Sequence, residues 1–221
     1  QIFHLCRVLS NLPLGIELAA TAQPVLDIIA LRALIEKKLA RNQVADSSHE
    51  AISGSKQQSI LILLDLLWEA LPLSEQKMLL HLSVFQHLFS QQAAIIVSMS
   101  SHQCLHDLIQ KSLVHQIAPD SYCLSTIVRE YLIGKRLTQP QLNEAIWQRF
   151  SSYAGNELQE LLSRSAKPTP LELKRLQCDW SDLLCAWQWT QLHIQGNLLK
   201  RFEPAMDQLC QGWGVYQLEG I

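Results

Sequence analysis

Leu113-Val114-His115-Gln116-Ile117-Ala118-Pro119-Asp120-Ser121-Tyr122-Cys123-Leu124 is the stretch in which the periodicity of this chain changes. Around it, apolar residues recur at helical spacing. Within it, Leu113 to Ile117 and Tyr122 to Leu124 read as two short extended runs flanking Ala118-Pro119-Asp120-Ser121. Proline fixes its own φ and so suits the second position of a β-turn. The stretch therefore predicts a small β-hairpin in an otherwise helical chain.

Working outward, the segments before the hairpin read as helices with their start signals in place. Ser59 opens an apolar helix through Leu71, broken by Leu71-Pro72-Leu73. Ser74 is expected to cap the next helix, to about Phe85, with Glu75 in its first turn. Ser90 caps a third helix through Val97, and Ser101 a fourth, Gln103 to Lys111. After the hairpin comes a helix from about Thr126 to Leu137. Three to four helices, a hairpin and a helix form the order expected of a winged-helix module, assigned to residues 59–137.

Upstream, residues 2 to 22 read as two helices interrupted at Asn11 to Pro13, since proline lacks the N–H and favours a first helical turn. Leu26 to Leu39 is amphipathic, with Leu26, Ile29, Ala30, Leu34 and Ile35 available for one face. Asn42 to Gln58 then loses periodicity and fills with Ser, Asn, Asp, Gly and Gln, which reads as a linker, placed at 46–58. Downstream, Thr138-Gln139-Pro140-Gln141 and Thr169-Pro170-Leu171-Glu172 are helix starts with proline in the first turn. The predicted helices are Gln141 to Arg164, Pro170 to Gln191 and Leu198 to Val215. They form a region of helical hairpins over 138–221, similar in layout to tetratricopeptide (TPR) repeats but without a strict period.

Composition agrees with a mainly α fold. Hydrophobic residues at 48 % supply material for a core, while 8 Gly and 8 Pro in 221 residues leave few breakers. A formal net charge of −2 gives no electrostatic reason to seek nucleic acid or an anionic membrane. The six cysteines form no C-x-x-C pair and match no zinc framework, so buried reduced thiols of a cytoplasmic protein are expected. No secretory signal or membrane span is read, because Asp65 and Glu69 interrupt the most apolar window. The chain starts at Gln1, directly in a helix, as a piece cut from a longer protein would.

Four segments together resemble a known family. Asn11-Leu12-Pro13-Leu14-Gly15-Ile16-Glu17-Leu18-Ala19-Ala20 resembles the GLPLA-E-AA motif of NB-ARC signalling ATPases, within the wider STAND class. Leu79 to Phe85 followed by Ala93-Ala94, then Leu108 to Val114, then Tyr122 to Tyr131, are similar to the family's winged-helix motifs, in family order. Trp180 to Trp189 is similar to the helix opening the helical region of bacterial members, often transcription regulators. The likeness is close over residues 1 to about 137 and loose beyond. It implies that residues 1–45 end a helical subdomain and that the phosphate-binding core lies outside this chain. Pro13, with Leu12 and Leu14 beside it, would meet the adenine of ATP or ADP held by the parent protein. No tight nucleotide binding by this chain alone is implied. The family's leading glycine is Asn11 here, and its phosphate-reading histidine falls on Ser125.

The implied function is regulatory and non-catalytic, coupling nucleotide state to signal binding in signal transduction or transcription regulation. Its partners would be the nucleotide-binding core and a protein or small-molecule signal on the helical hairpins, with oligomerisation on activation. A stand-alone protein-interaction scaffold is the alternative, and a winged-helix DNA-binding regulator a weaker one. Helix Gln103 to Lys111 occupies the place of a recognition helix, yet Lys111 is its single certain cation. His102, Cys104 and His106 form an H-x-C-x-H run read as a solvated helix face rather than a metal site, with no further ligand at a telling spacing. Trp180, Trp187, Trp189 and Trp213 read as core packing rather than a ligand cage. Gly54-Ser55-Lys56 is similar to the end of a phosphate-binding loop but lacks its first glycine and preceding strand. No G-x-S-x-G, H-E-x-x-H or dinucleotide loop is present, so no catalysis is expected of the chain itself.

Overall fold

The computed structural model describes residues 2–22, 27–45, 51–164, 170–193, 199–200, 202–204 and 206. Helices α1 (Ile2–Val8), α2 (Pro13–Ala22), α3 (Ile28–Ala45) and α4 (Ala51–Ala70) form the first layer. Helix α1 packs on α3, α2 on α4, and α3 on α4. They bury Leu9, Leu18, Leu31, Ile35, Ile60 and Leu63, all fully enclosed. These residues are spaced so that each helix turns one apolar stripe inward. The bend between α1 and α2 is made by Ser10 and Asn11, both left-handed at φ 57° and 54°. The Asn11 N–H donates to the Cys6 carbonyl at 2.7 Å, closing the free end of α1. Beyond the bend, Gly15 lets α2 approach closely, since a Cβ there would lie 3.3 Å from that of Leu9.

Next come α5 (Leu73–Leu82), β1 (Leu88–Phe89), α6 (Gln91–Ser98), α7 (His102–Gln110), β2 (His115–Ala118), β3 (Ser121–Cys123) and α8 (Thr126–Leu137). The strands form one antiparallel sheet in the order β1-β3-β2. Leu88 faces Cys123 and Phe89 faces Tyr122 on one side. His115 pairs with Cys123 and Ala118 with Ser121 on the other, with a register shift between Gln116 and Ala118. Ser90, Ser101 and Ser125 cap α6, α7 and α8, their side chains accepting from the N–H of Ala93, Cys104 and Val128.

Several predicted boundaries differ: α3 runs on to Ala45 rather than ending at Leu39, and α5 ends at Leu82 rather than Phe85. Helix α4 starts at Ala51, so residues 51–58 of the expected linker are helical. Their polar composition hides a helix continued backward from the strongly apolar Ile60 to Leu67 half, where each added residue extends an existing ladder. Ser74 does not cap α5: the N-cap is Pro72, which makes no side-chain cap bond. Gln76 closes the corner instead, donating through Nε2 to the carbonyls of Trp68 at 2.7 Å and Leu71 at 3.1 Å. Strand β1 is absent from the sequence reading. It has two residues, too few for an alternation to register, and exists because β3 offers it an edge.

Helices α9 (Pro140–Arg164) and α10 (Pro170–Leu192) pack on each other, and α9 lies against α6 and α8. Ile146, Phe150, Ala154 and Leu158 of α9 are buried, as are Leu183 and Ala186 of α10. The Phe202 ring fits because residue 155 is glycine, where a Cβ would sit 3.1 Å from Cε2 of that ring. The apolar residues join one continuous core from Leu5 to Met206. The chain is thus mainly helical with a small three-stranded antiparallel sheet. No helix among the described residues is long and apolar enough to cross a membrane. The expected third helix of the last region, Leu198 to Val215, falls mostly outside the described residues.

Candidate functional site

Pro13 opens α2 on the surface, while Leu12 and Leu14 are half-buried and pack against the core. Of the three residues singled out for an adenine contact, Pro13 is therefore the one exposed to a ligand. Phe3, 86 % exposed, and Ile2, 63 % exposed, form further uncovered apolar surface on α1.

Helix α7 presents His102, Gln103, His106 and Gln110 to solvent and turns Cys104 inward. Cys104 is pushed above the usual thiol range by burial and by the nearby acids Glu75 and Asp107, so it is no thiolate. His102 Nδ1 accepts from Nε2 of Gln91, which takes that histidine away from a shared site with His106. Among the described residues no group of three His, Cys, Asp or Glu is arranged to hold a metal. Lys111 is engaged by the buried Glu75, its Nζ lying 2.5 Å from Oε2 and 2.6 Å from Oε1. The hairpin beyond, His115 to Ser121, carries no Lys or Arg. Electrostatically this is a poor surface for phosphates.

The tryptophans are packing residues. Trp187 meets Phe202 with ring centres 5.8 Å apart, and Trp189 stacks on His193 at 4.4 Å. Trp213 lies outside the described residues. Gly54, Ser55 and Lys56 lie within α4 rather than in a loop after a strand. Ser125 is the cap of α8.

Two concavities face the joint between the sheet-bearing unit and α9–α10. The first is a groove of ≈ 410 Å³. Its apolar floor is aromatic: Phe85 lies 5.0 Å from Phe89 and meets Phe150 edge-on at 5.2 Å, centre to centre. At its side stands Asp182 of α10, only 7 % exposed. Its Oδ1 accepts from the backbone N–H of Gln86 at 2.6 Å, and the carbonyl of the same Gln86 receives Nη1 of Arg129. Burial, and to a lesser degree Asp179, raise the Asp182 carboxyl to about 7; the Gln86 bond and Arg129 pull the other way without cancelling this. Sequence reasoning missed Asp182 because nothing local marks it: its bonded partner, Gln86, lies 96 positions away, before β1.

The second concavity, ≈ 480 Å³, is polar and lies between α5, the α6–α7 corner and α9, with Lys77, His81, Ser98, Ser101 and Arg149 along it. Helix α4 is tied to α8 by a third polar group. Asp65 accepts from Tyr131 Oη at 2.8 Å and meets Lys135 Nζ at 2.9 Å. Burial alone raises the Asp65 carboxyl, but the bonds from Lys135 and Tyr131 outweigh it and hold it below its ordinary value.

No family model matches the chain, and no curated protein or solved structure matches it either.

Proposed function

We propose that this chain is the regulatory, non-catalytic arm of a STAND-class, NB-ARC-type ATPase switch in the cytoplasm. Residues 1–45 are the end of its helical subdomain, residues 59–137 its winged helix, and residues 138–221 TPR-like hairpins that receive a signal. The observation that carries this reading is the order helix, strand, helix, helix, strand, strand from α5 to β3, with sheet order β1-β3-β2. That order supports a winged helix, and the segments similar to the family's motifs lie along it in family order. Asn11 supports the reading at the first motif. It stands where the family has glycine and adopts φ 54°, a left-handed conformation that asparagine tolerates better than most residues.

In this role the winged helix and helical subdomain fold over ATP or ADP held by the parent's core, with Pro13 against the adenine. Signal binding at α9–α10 shifts the balance between closed and open states, and the open state oligomerises or releases an effector. A stand-alone interaction scaffold is the competing reading, favoured by the uncovered Phe3 and Ile2. DNA binding is disfavoured by the Glu75–Lys111 pair.

The test is the coding sequence upstream of Gln1. The switch reading expects a strand, G-x-x-x-x-G-K-[ST], and a later strand ending in acidic residues. A start codon a few positions upstream, with no such loop, overturns it and leaves the scaffold.

A further inference from the structure

We propose that the groove between β1, α9 and α10 is a binding site for a small organic amine, with the Asp182 carboxylate as counter-ion and Phe85, Phe89 and Phe150 as apolar floor. The proposal rests on the reading of α9–α10 as the signal-receiving unit and names the chemistry of the signal.

The first argument is the state of Asp182. A carboxylate that is 7 % exposed normally sits against a cation. Arg129, whose charge acts on Asp182 through space, bonds the carbonyl of Gln86 and forms no ion pair with Asp182 among the described residues. The Gln86 N–H satisfies Oδ1, and the residue borders the groove. An ammonium group entering there would supply the counter-charge that the protein does not bring into contact.

The second argument is the company Asp182 keeps. Phe85, Phe89 and Phe150 pack on one another and line the same space. Aromatic faces attract cations and cover the apolar body of an amine. Asp120, Glu157 and Asp179 also border the groove, each with partners of its own, and their sign disfavours an anionic ligand. A volume of ≈ 410 Å³ is near the lower end for small-molecule sites and too small for a docked helix.

The third argument is position. The floor comes from Phe85 just after α5, Phe89 of β1 and Phe150 of α9, the counter-ion from α10, and the far wall from Ala154 and Leu158 of α9. A ligand bridging them stabilises one setting of α9–α10 against the sheet, which is what a signal acting on this joint must do.

The probe is phenethylamine hydrochloride, titrated calorimetrically into this chain at pH 8 and pH 6, with phenethyl alcohol and phenylacetate as neutral and anionic counterparts. Saturable amine binding is expected at pH 8 and about tenfold weaker binding at pH 6, because Asp182 must give up its proton. The charged groups facing it are Arg129 on α8, Asp179 on α10, Glu157 and Glu160 on α9, and Asp120 in the hairpin turn. The alcohol and phenylacetate are expected to bind at least about tenfold more weakly. Asp182→Asn, checked for folding by circular dichroism, should abolish both the affinity and its pH dependence. Should that variant not fold, carbon NMR of the wild-type Asp182 carboxyl decides, since saturating amine must move its titration midpoint to lower pH. No binding at about 10 mM amine, equal binding of the alcohol, or an unmoved Asp182 midpoint overturns the proposal. None of these bears on the upstream-gene test, so the two readings fail separately.

Discussion

Arg149 Nη1 donates to Nε2 of His81 across 3.0 Å, while Nδ1 of the same ring bonds the carbonyl of Lys77 at 2.7 Å. A guanidinium only donates and a carbonyl only accepts, so the imidazole is neutral, with its proton on Nδ1. His81 is 4 % exposed. A second proton on Nε2 would meet Arg149 head-on.

Acid should therefore loosen the seam between α5 and α9. Burial lowers the His81 value below 6.5, the bond to Lys77 opposes this, and the charges of Arg149, Arg136 and Lys77 add to the lowering. A histidine depressed in the folded state contributes stability that is fully present above its unfolded value. That stability is lost as pH falls through the folded one. Urea midpoints should fall between pH 7 and pH 5, and His81→Gln should flatten that fall while costing about 1 kcal/mol at pH 8. Parallel pH profiles for the two proteins would refute the assignment.

Arg136 is a buried cation with no carboxylate partner among the described residues. It is 4 % exposed, donates to Ser83 Oγ at 3.2 Å, lies 5.3 Å over the Trp147 ring, and leaves Nε without a partner. Burial lowers its value to about 10. Replacing a buried charge by an apolar residue of similar shape is commonly neutral or stabilising. Arg136→Met should change stability by less than about 1 kcal/mol in either direction, and Trp147→Ala should cost about 3 kcal/mol. Denaturant midpoints measure both. A loss above about 3 kcal/mol for Arg136→Met would mean that the guanidinium holds α8 to α9.

Most helices, and the caps of α6 and α7, were legible because their signals are local, whereas Ser74 was misleading. Ser90 and Ser101 lie where an N-cap must, just before an apolar run, and Thr126 to Leu137 matches α8 residue for residue. The hairpin was legible from one proline and a change of period. Strand β1 was not, because two residues become a strand only when β3 lies beside them. The α4 start was hidden by Ser, Gly and Gln, whose weak propensity is overridden by the apolar half that follows. The candidate groove was the least legible. Phe85, Phe150 and Asp182 are far apart in sequence, and no local spacing links the three.

Glu75, 5 % exposed, depends on Lys111 for its counter-charge. Lys111→Met leaves a buried carboxylate facing apolar surface and should cost about 2 kcal/mol, reduced from the fully buried case because the lysine is partly in water. Adding Glu75→Met should recover most of that loss, as a double-mutant cycle would report. The same variant bears on nucleic acid. If α7 does not read DNA, salt-dependent duplex binding is absent before and after Lys111→Met. A salt-sensitive affinity lost on substitution would restore the DNA-binding reading.

The bend before Pro13 gives the last prediction. Asn11 at φ 54° follows Ser10 at φ 57°, so two successive side chains sit in a region that glycine enters freely. Asn11→Gly should leave stability unchanged or raise it by about 0.5 kcal/mol, since relief of left-handed strain offsets the greater freedom of the unfolded chain. Asn11→Val should cost about 2 kcal/mol, because a β-branched side chain meets the backbone there. The readout is the melting temperature of each variant, with far-ultraviolet circular dichroism to show that α1 and α2 persist. A valine variant as stable as the wild type would mean that the corner takes another conformation. Pro13 would then not be held at the head of α2 in the way an adenine contact requires.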